Sequence, residues 1–203
     1  MELVFASNNK HKLEEVKSAL GAGFTVVSLA DIGCYDDIPE EQPTLEGNAL
    51  QKARYVYERY HKNCFSDDTG LEIEALDGRP GVYSARYAGV GCSFEDNINK
   101  VLSEMQPHTN RKARFRTVIA LILDGKEYLF EGQADGLILR ERQGTNGFGY
   151  DPIFQPIESP VSFAEMDLEE KNKISHRGRA VEELVRFLKG KHTDNTDLTD
   201  KHR

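Results

Sequence analysis

The N-terminal segment constrains the fold of this chain most, because its hydrophobic pattern changes from that of a strand to that of a helix across one polar loop. Residues 3–6 form a continuous apolar run of the kind that a buried strand shows. Beyond the loop, Leu13, Val16 and Leu20 recur at helical spacing, and Gly21 and Gly23 end the pattern. A strand that leads through a loop into a helix is the building unit of an α/β fold.

Strand and helix patterns continue to mix along the rest of the chain. The spacing of apolar residues predicts three further helices, one capped by Thr44, one that ends before Pro107, and a closing helix with apolar positions between 180 and 188. Strands are predicted at residues 64–65, 71–75, 115–123, 128–130 and 136–139, with a hairpin turn at Asp124-Gly125. We therefore predict one α/β domain over residues 1–190 and a disordered, strongly polar tail over residues 191–203.

Composition limits the classes of partner. The chain has 203 residues and a formal net charge of -8, which argues against broad binding to nucleic acid or to an anionic membrane, since both need a basic surface. No apolar run approaches the roughly 20 residues that span a bilayer. The cysteines, Cys34, Cys64 and Cys92, form no CxxC pair and are interpreted as reduced structural thiols. We expect a soluble, cytoplasmic protein.

Two adjacent carboxylates, Asp67 and Asp68, follow the apolar residues 64–65 and precede Thr69-Gly70, where we expect a turn. A carboxylate at the end of a buried strand loses hydration, and a cation or several donors must compensate it. Mg²⁺ meets this need, because it prefers oxygen ligands and bridges carboxylates to substrate phosphates. An aspartate-rich turn without an ion explains the same residues equally well. Further acids that could face the same cleft are Glu15, Glu40 and Glu41.

The polar loop at residues 7–12 is suited to a phosphate, because free N–H groups and the positive end of the helix dipole meet at a helix start. Lys10 and Lys12 add positive charge. The loop lacks the spaced glycines and the Gly-Lys-Ser/Thr ending of a P-loop, so kinase or GTPase chemistry is not indicated. A capped, solvated helix start is the alternative, and on these residues alone it is favoured.

Two later segments carry groups suited to a nucleobase. The glycines around Phe148 would let a planar ring approach for stacking, and Asp151 could accept a hydrogen bond from a base N–H. Ser175 is expected to cap a helix, which would place the donors of His176 and Arg177 at its start. The alternatives are a tight turn with a core phenylalanine and a capped helix with exposed cations. The histidines show no HExxH spacing, so zinc is not predicted.

Taken together, five segments resemble the inosine triphosphate pyrophosphatase family in order and approximate spacing. They are residues 5–16, 67–71, 81–87, 148–152 and 175–177, within a resemblance that covers about residues 2–189. It implies a mixed, elongated central sheet flanked by helices, with two lobes around a substrate cleft. It also implies a magnesium-dependent homodimer that hydrolyses noncanonical purine nucleoside triphosphates, namely ITP, dITP and XTP, to the monophosphate and pyrophosphate.

The resemblance also implies roles for individual residues. Asp68 would be the catalytic residue, as metal ligand and proton acceptor, with Thr69 touching the substrate beside it. Lys52 would bind phosphate. The other implied substrate-binding residues are Ser7, Asn8, Asn9, Lys10, His11 and Lys12 on the phosphate side, and Phe148, Gly149, Tyr150, Asp151, Lys171, His176 and Arg177 on the base side. Ser7-Asn8 replaces the family's frequent Thr-Gly, and Thr69 its common serine, so a hydroxyl is kept in both places.

Three other functions stay open on the sequence. A nucleotide-binding regulatory module would keep the cleft without turnover, although Asp68 together with Lys12 speaks against it. A Maf-type pyrophosphatase would act on pyrimidine or methylated nucleotides, whereas the segments at 148–151 and 175–177 favour a purine. A non-catalytic interaction protein would give no reason for polar motifs at strand and helix ends. The second metal carboxylate is left among Glu15, Glu40 and Glu41.

Overall fold

A mixed seven-stranded sheet organises the fold in the computed structural model, which describes residues 1–196. The strands are β1 (Glu2–Phe5), β2 (Thr25–Val27), β3 (Cys64–Ile73), β4 (Pro80–Gly81), β5 (Lys112–Leu123), β6 (Lys126–Ile138) and β7 (Phe154–Pro156). The helices are α1 (Lys10–Leu20), α2 (Leu45–Tyr60), α3 (Phe94–Met105), α4 (Leu168–Ile174) and α5 (His176–Thr196). The strand order is β2-β1-β3-β5-β6-β7, and β4 pairs with β3.

Parallel and antiparallel pairing meet at β3. This strand and β2 each pair in parallel with β1, whereas the pairs β3–β5, β5–β6 and β6–β7 are antiparallel. α1 connects β1 to β2, as the N-terminal strand, loop and helix pattern predicts. The predicted α/β class, with a mixed central sheet flanked by helices, is confirmed.

Three clusters of buried apolar side chains divide the fold into two lobes along the sheet. One lobe holds two of them: the cluster of α1 and α5, which includes Val16, and the cluster of α2, which includes Ala49. The third cluster, with Phe154, lies in the other lobe beneath α3. β3 and β5 contribute side chains to all three clusters, so these two long strands join the lobes.

The turn predicted at Thr69-Gly70 is wrong, because β3 runs through it without a break. Each residue from Cys64 to Ile73 pairs with β5 in one continuous antiparallel register. Gly70 serves close packing instead, since a Cβ added there would lie 2.7 Å from the carbonyl oxygen of Gly81. Long-range pairing has therefore overridden the local turn preference of the Thr-Gly pair. The separately predicted strands at 128–130 and 136–139 are likewise one strand, β6.

The predicted helix and hairpin signals hold at the remaining boundaries. The Thr44 hydroxyl accepts a hydrogen bond from the Gly47 N–H and caps α2. Gly21 ends α1 with a φ of 68°, and the turn between β5 and β6 has φ values of 50° at Asp124 and 76° at Gly125. Positive φ at both turn residues matches the right-handed twist of a two-residue hairpin.

Two helical regions differ from the sequence prediction. α4, capped by Asp167, was not predicted, because its seven residues are mostly charged and have no apolar period. α5 continues past the predicted boundary at Gly190 as far as Thr196, and the rest of the predicted tail, residues 197–203, lies outside the described residues. No helix within residues 1–196 has the length and apolar character needed to cross a membrane.

We predict that Gly132→Ala lowers the free energy of unfolding by about 1–3 kcal/mol, the usual cost of overpacking. A Cβ at Gly132 would lie 2.0 Å from the backbone oxygen of His176 and 2.4 Å from the nitrogen of Ala180, so β6 and α5 would have to separate. Urea denaturation measures the change. Gly190→Ala is the matched control, because nothing lies within 4 Å of its added Cβ. An unchanged stability of the Gly132 variant would contradict this packing.

Candidate active site

A cavity of about 590 Å³ opens between the two lobes. Its walls come from the loop before α1, the middle of β3, the loop at residues 37–41, the segment at 148–151 and the start of α5. These segments are far apart in the sequence, and the sheet brings their polar ends together. The arrangement gives one cleft with charged groups on several sides.

Most of the predicted site residues line this cavity. They are Ser7, Asn8, Asn9, Lys12, Lys52, Asp68, Thr69, Phe148, Gly149, Tyr150, Asp151, Lys171, His176 and Arg177. Lys10 and His11 do not line it and are exposed on the first turn of α1. Asn9 is also the N-cap of α1, since its side chain accepts a hydrogen bond from the Lys12 N–H at 3.1 Å. The capped helix start and the cavity wall are therefore the same structure.

Asp67 and Asp68 point to opposite faces of β3, as successive residues of a strand do. Asp67 is completely buried. Its carboxylate lies 3.1 Å from the Lys12 ammonium and 3.0 Å from the Arg177 guanidinium. Burial alone would raise the pKa of Asp67, but Lys12, Arg177 and Lys52 outweigh burial and hold it well below its usual range. Asp67 is thus a fixed anion that binds cations of the protein itself.

Asp68 faces the cavity from the α2 side of the sheet. Asn48 donates a hydrogen bond to its Oδ2 at 3.0 Å, the Thr69 N–H donates to Oδ1 at 3.0 Å, and the Lys52 ammonium lies 3.8 Å from Oδ1. Burial raises the pKa of Asp68, and the opposing effects of Lys52 and Lys12 are smaller. The cavity therefore contains a carboxylate with an increased affinity for a proton.

Glu40 lies beside the same lysine. The Lys52 ammonium forms an ion pair with the Glu40 carboxylate and donates to the backbone oxygen of Asp67 at 2.8 Å. Glu40 and Glu41 both line the cavity. Burial would raise the pKa of Glu40, but Lys52 and then Lys12 lower it overall. Asp68 and Glu40 are thus two carboxylates on either side of one buried ammonium.

Glu15 is in a different environment from Glu40. It is buried beneath the base-side cations, where it accepts a hydrogen bond from Lys171 at 2.6 Å and pairs with Arg177. Burial would raise the pKa of Glu15, but the two cations lower it overall. Glu15 does not line the 590 Å³ cavity. The sequence gives one indication that Glu15 is buried: it directly precedes Val16, which lies on the buried face of α1.

Asp151 holds the loop that carries Phe148. Its Oδ2 accepts from the Phe148 N–H at 2.9 Å and from the Lys171 ammonium at 2.6 Å. No hydrogen bond within the described residues uses the other oxygen, Oδ1, so the predicted hydrogen bond from a base N–H stays a prediction for that atom. Tyr150 also has a structural contact, since its hydroxyl donates to the Ser84 carbonyl at 2.7 Å.

His176 and Arg177 begin α5 and are both buried, so the alternative of exposed cations is wrong. The helix start is capped as predicted, with the Gly178 N–H donating to the Ser175 hydroxyl at 3.1 Å. The His176 ring stacks on Phe115 with centroids 4.5 Å apart. Burial, and then the charges of Arg177 and Lys171, lower the pKa of His176 well below 6.5, so its ring is neutral at pH 7.

Several residues of the cavity wall are not predicted from the sequence. Among them are Ser84, Ala85, Arg86, Phe94 and Asn97, from the segment that contains α3. The resemblance marks residues 81–87 but implies no role for them. Within residues 1–196, no group of three or more histidine, cysteine, aspartate or glutamate side chains is arranged to hold a metal ion.

Comparisons with known proteins agree on one family. The model of the Ham1 family matches residues 3–187. A dITP/XTP pyrophosphatase of Flavobacterium johnsoniae is 54% identical over 93% of this chain and 98% of its own length. One from Porphyromonas gingivalis is 53% identical over 92% of this chain and 97% of its own. The structure of the Staphylococcus aureus Ham1 protein superposes with a TM-score of 0.85 at 38% identity, covering 94% and 100% of the two chains.

We predict that part of the pH dependence of stability comes from His176. The unfolded chain binds a proton at this residue below about pH 6.5, whereas the folded protein does not. The folded state therefore loses stability as pH falls below 6.5, by up to about 1.4 kcal/mol per pH unit from this one group. In His176→Gln this contribution is absent, so the difference in unfolding free energy between wild type and variant shrinks on acidification.

Urea denaturation at several pH values between 5 and 8 measures that difference. His108→Gln, at a half-buried histidine outside the cavity, is the control for loss of a histidine as such. A difference between wild type and His176→Gln that stays constant over this range would contradict the assignment of a neutral His176.

Proposed function

The chain belongs to the Ham1 family, and on that premise we propose that it hydrolyses noncanonical purine nucleoside triphosphates, dITP and XTP among them, to the monophosphate and pyrophosphate. One observation supports this proposal most directly. Asp68 faces the cavity between the expected phosphate-binding residues, such as Lys12, and the expected base-binding residues, such as His176. Relatives that bear the name dITP/XTP pyrophosphatase are similar over nearly their whole length, which supports the same activity here.

The phosphate side of the cleft combines a helix start with buried cations. The N-terminal end of α1 offers backbone N–H groups and the positive end of its dipole. Lys12 and Lys52 face the same space. Lys12 shares the Asp67 carboxylate with Arg177, whereas Lys52 pairs with Glu40 and lies 3.8 Å from the Asp68 carboxylate. We propose that the triphosphate lies here, with its charge balanced by these two lysines.

We propose Asp68 and Glu40 as the carboxylates that would hold Mg²⁺ together with the triphosphate. Both line the cavity and lie beside the Lys52 ammonium, whereas Glu15 does not line the cavity and pairs with Lys171 and Arg177. The absence of a three-ligand cluster within residues 1–196 is consistent with Mg²⁺, which commonly takes one or two carboxylates and completes its shell with water and phosphate oxygens. Bound there, Mg²⁺ would supply neutralisation of the phosphate charge.

Asp68 is the proposed general base. Its carboxylate would accept a proton from a water molecule as the water oxygen bonds to the α-phosphorus and the bond to the bridging oxygen breaks. Lys12 and Lys52 would stabilise the negative charge on the departing pyrophosphate. The products are then a nucleoside monophosphate and pyrophosphate.

The base side of the cleft suits a 6-oxo purine. Lys171 and Arg177 are donors without acceptor groups, and both line the cavity together with the neutral His176. A 6-oxo group can accept a hydrogen bond from an N–H of these side chains that their carboxylate partners do not use, whereas the 6-amino group of adenine would place a donor against that N–H and leave it without an acceptor. Such a mismatch costs about 1–3 kcal/mol for each buried group left without a partner.

The homodimer and the cytoplasmic location stay predictions. The homodimer comes from the resemblance, and the location from the charge and the lack of an apolar span in the sequence. We propose both for this chain. Light scattering on the purified protein tests the first, and fractionation of cells that express it tests the second.

We predict that Asp68→Asn lowers the rate of pyrophosphate release from dITP by about 10²–10⁴-fold, the usual contribution of a general base. The fold should survive, because the asparagine oxygen can still accept from Asn48 and the change removes a charge that burial disfavours. Asp135→Asn, at an exposed aspartate of β6, is the control. Turnover by Asp68→Asn close to that of wild type would refute the assignment.

We predict that Glu40→Gln raises the Mg²⁺ concentration that gives half-maximal turnover, by about tenfold, because one of two carboxylate ligands loses its charge. Glu41→Gln and Glu15→Gln are the comparison variants. Titration of Mg²⁺ at fixed dITP measures the shift, and EDTA should abolish turnover in all four proteins. A shift confined to the Glu41 variant would move the second ligand to that residue.

A further inference from the structure

The ring of Phe148 forms a wall between two cavities. On one side lies the 590 Å³ cleft, and on the other a second cavity of about 340 Å³ lined by His11, Glu14 and Leu168 among others. Phe148 lines both. Because a cavity lies on each side of the Phe148 ring, the hydrophobic core does not pack closely around it, and other contacts must hold the ring in place.

The backbone of Phe148 is fixed independently of its ring. The Phe148 N–H donates to the buried carboxylate of Asp151 at 2.9 Å. Gly147 and Gly149 flank it with φ values of 72° and 61°, which only glycine adopts readily. A Cβ at Gly147 would lie 2.1 Å from the Asp151 carboxylate. These contacts place the Cα of Phe148, but they leave the direction of the ring open.

His11 holds the ring by stacking. The two ring centroids lie 5.2 Å apart with an interplanar angle of 14°. Phe94 approaches less closely, at 6.0 Å and a tilt of 49°. Lys171 and Arg177 place their cationic ends 5.3 and 5.6 Å from the Phe148 ring centroid. Among these neighbours His11 is the one whose ring lies nearly parallel to Phe148.

His11 also ties this ring to the phosphate side. It precedes Lys12 in the first turn of α1, and Lys12 faces the 590 Å³ cleft while its ammonium pairs with Asp67. His11 lines the second cavity and not the cleft. Lys12 and His11 are neighbours in one helical turn, but they lie on different sides of the Phe148 ring. Lys12 faces the cleft where the triphosphate is proposed to bind, and His11 stacks on the other face of the ring.

We propose that His11 is a positioning residue for the base: it stacks on the back of Phe148 and sets the ring plane on which the purine lies. It does not bind phosphate. This inference rests on the proposed function, because it assigns Phe148 to the purine of the substrate. The same helical turn carries Lys12 and His11. It therefore also sets the distance between the triphosphate region and the Phe148 ring on which the purine lies.

The first test is His11→Ala. Because an aromatic pair contributes about 0.5–1.5 kcal/mol beyond burial, loss of the stack should raise KM for dITP by about 3- to 10-fold while kcat changes less than about twofold. His11→Phe keeps an aromatic partner and should restore KM. Lys17→Ala, at an exposed position of the same helix, is the control. A fall in kcat with KM unchanged would overturn the proposal, as would failure of His11→Phe to restore KM.

The second test is a double-mutant cycle with Phe148→Leu. If His11 acts through the ring, His11→Ala should have almost no further effect on KM once Phe148 is leucine. Independent, multiplying effects would overturn the proposal. Urea denaturation of each variant separates loss of fold from loss of positioning. Failure of the wild-type protein to hydrolyse dITP would instead reject the proposed function, so the two failures are distinguishable.

Discussion

The buried carboxylate of Asp67 is the interaction on which the rest of the structure depends. Its side chain pairs with Lys12 of α1 and Arg177 of α5, and its backbone oxygen accepts from Lys52 of α2. A buried charge is costly unless it is paired and hydrogen-bonded. Asp67 therefore stabilises the fold only when three helices are held against β3, and this condition fixes where the cleft can be.

The same requirement explains why two adjacent aspartates have different tasks. Asp67 is surrounded by cations on the buried face of β3, so its pKa is held low. Asp68 faces the cavity on the opposite side, where burial raises its pKa and leaves it suited to take a proton. Glu15 repeats the first role at the base side, since it neutralises Lys171 and Arg177 and allows both cations to be buried beside the cavity.

Local patterns in the sequence predict much of this fold, because caps and apolar periods depend on neighbouring residues. They fail where distant contacts decide. The Thr69-Gly70 pair looks like a turn, but pairing with β5 keeps it extended. Glu15 looks like a surface acid, but it pairs with Lys171, which lies 156 residues away. Residue patterns indicated Asp68, Phe148 and His176 as site candidates, and the family resemblance added their roles but gave none to the wall near α3.

The most direct test of the account is the reaction itself, followed by ³¹P NMR in ¹⁸O-labelled water with Mg²⁺. Wild-type protein should convert dITP and XTP to monophosphate and pyrophosphate far faster than dATP. The ¹⁸O label should appear in the monophosphate, because water attacks the α-phosphorus in the proposed reaction. Orthophosphate as a product, label in the pyrophosphate, or equal rates with dATP would contradict it.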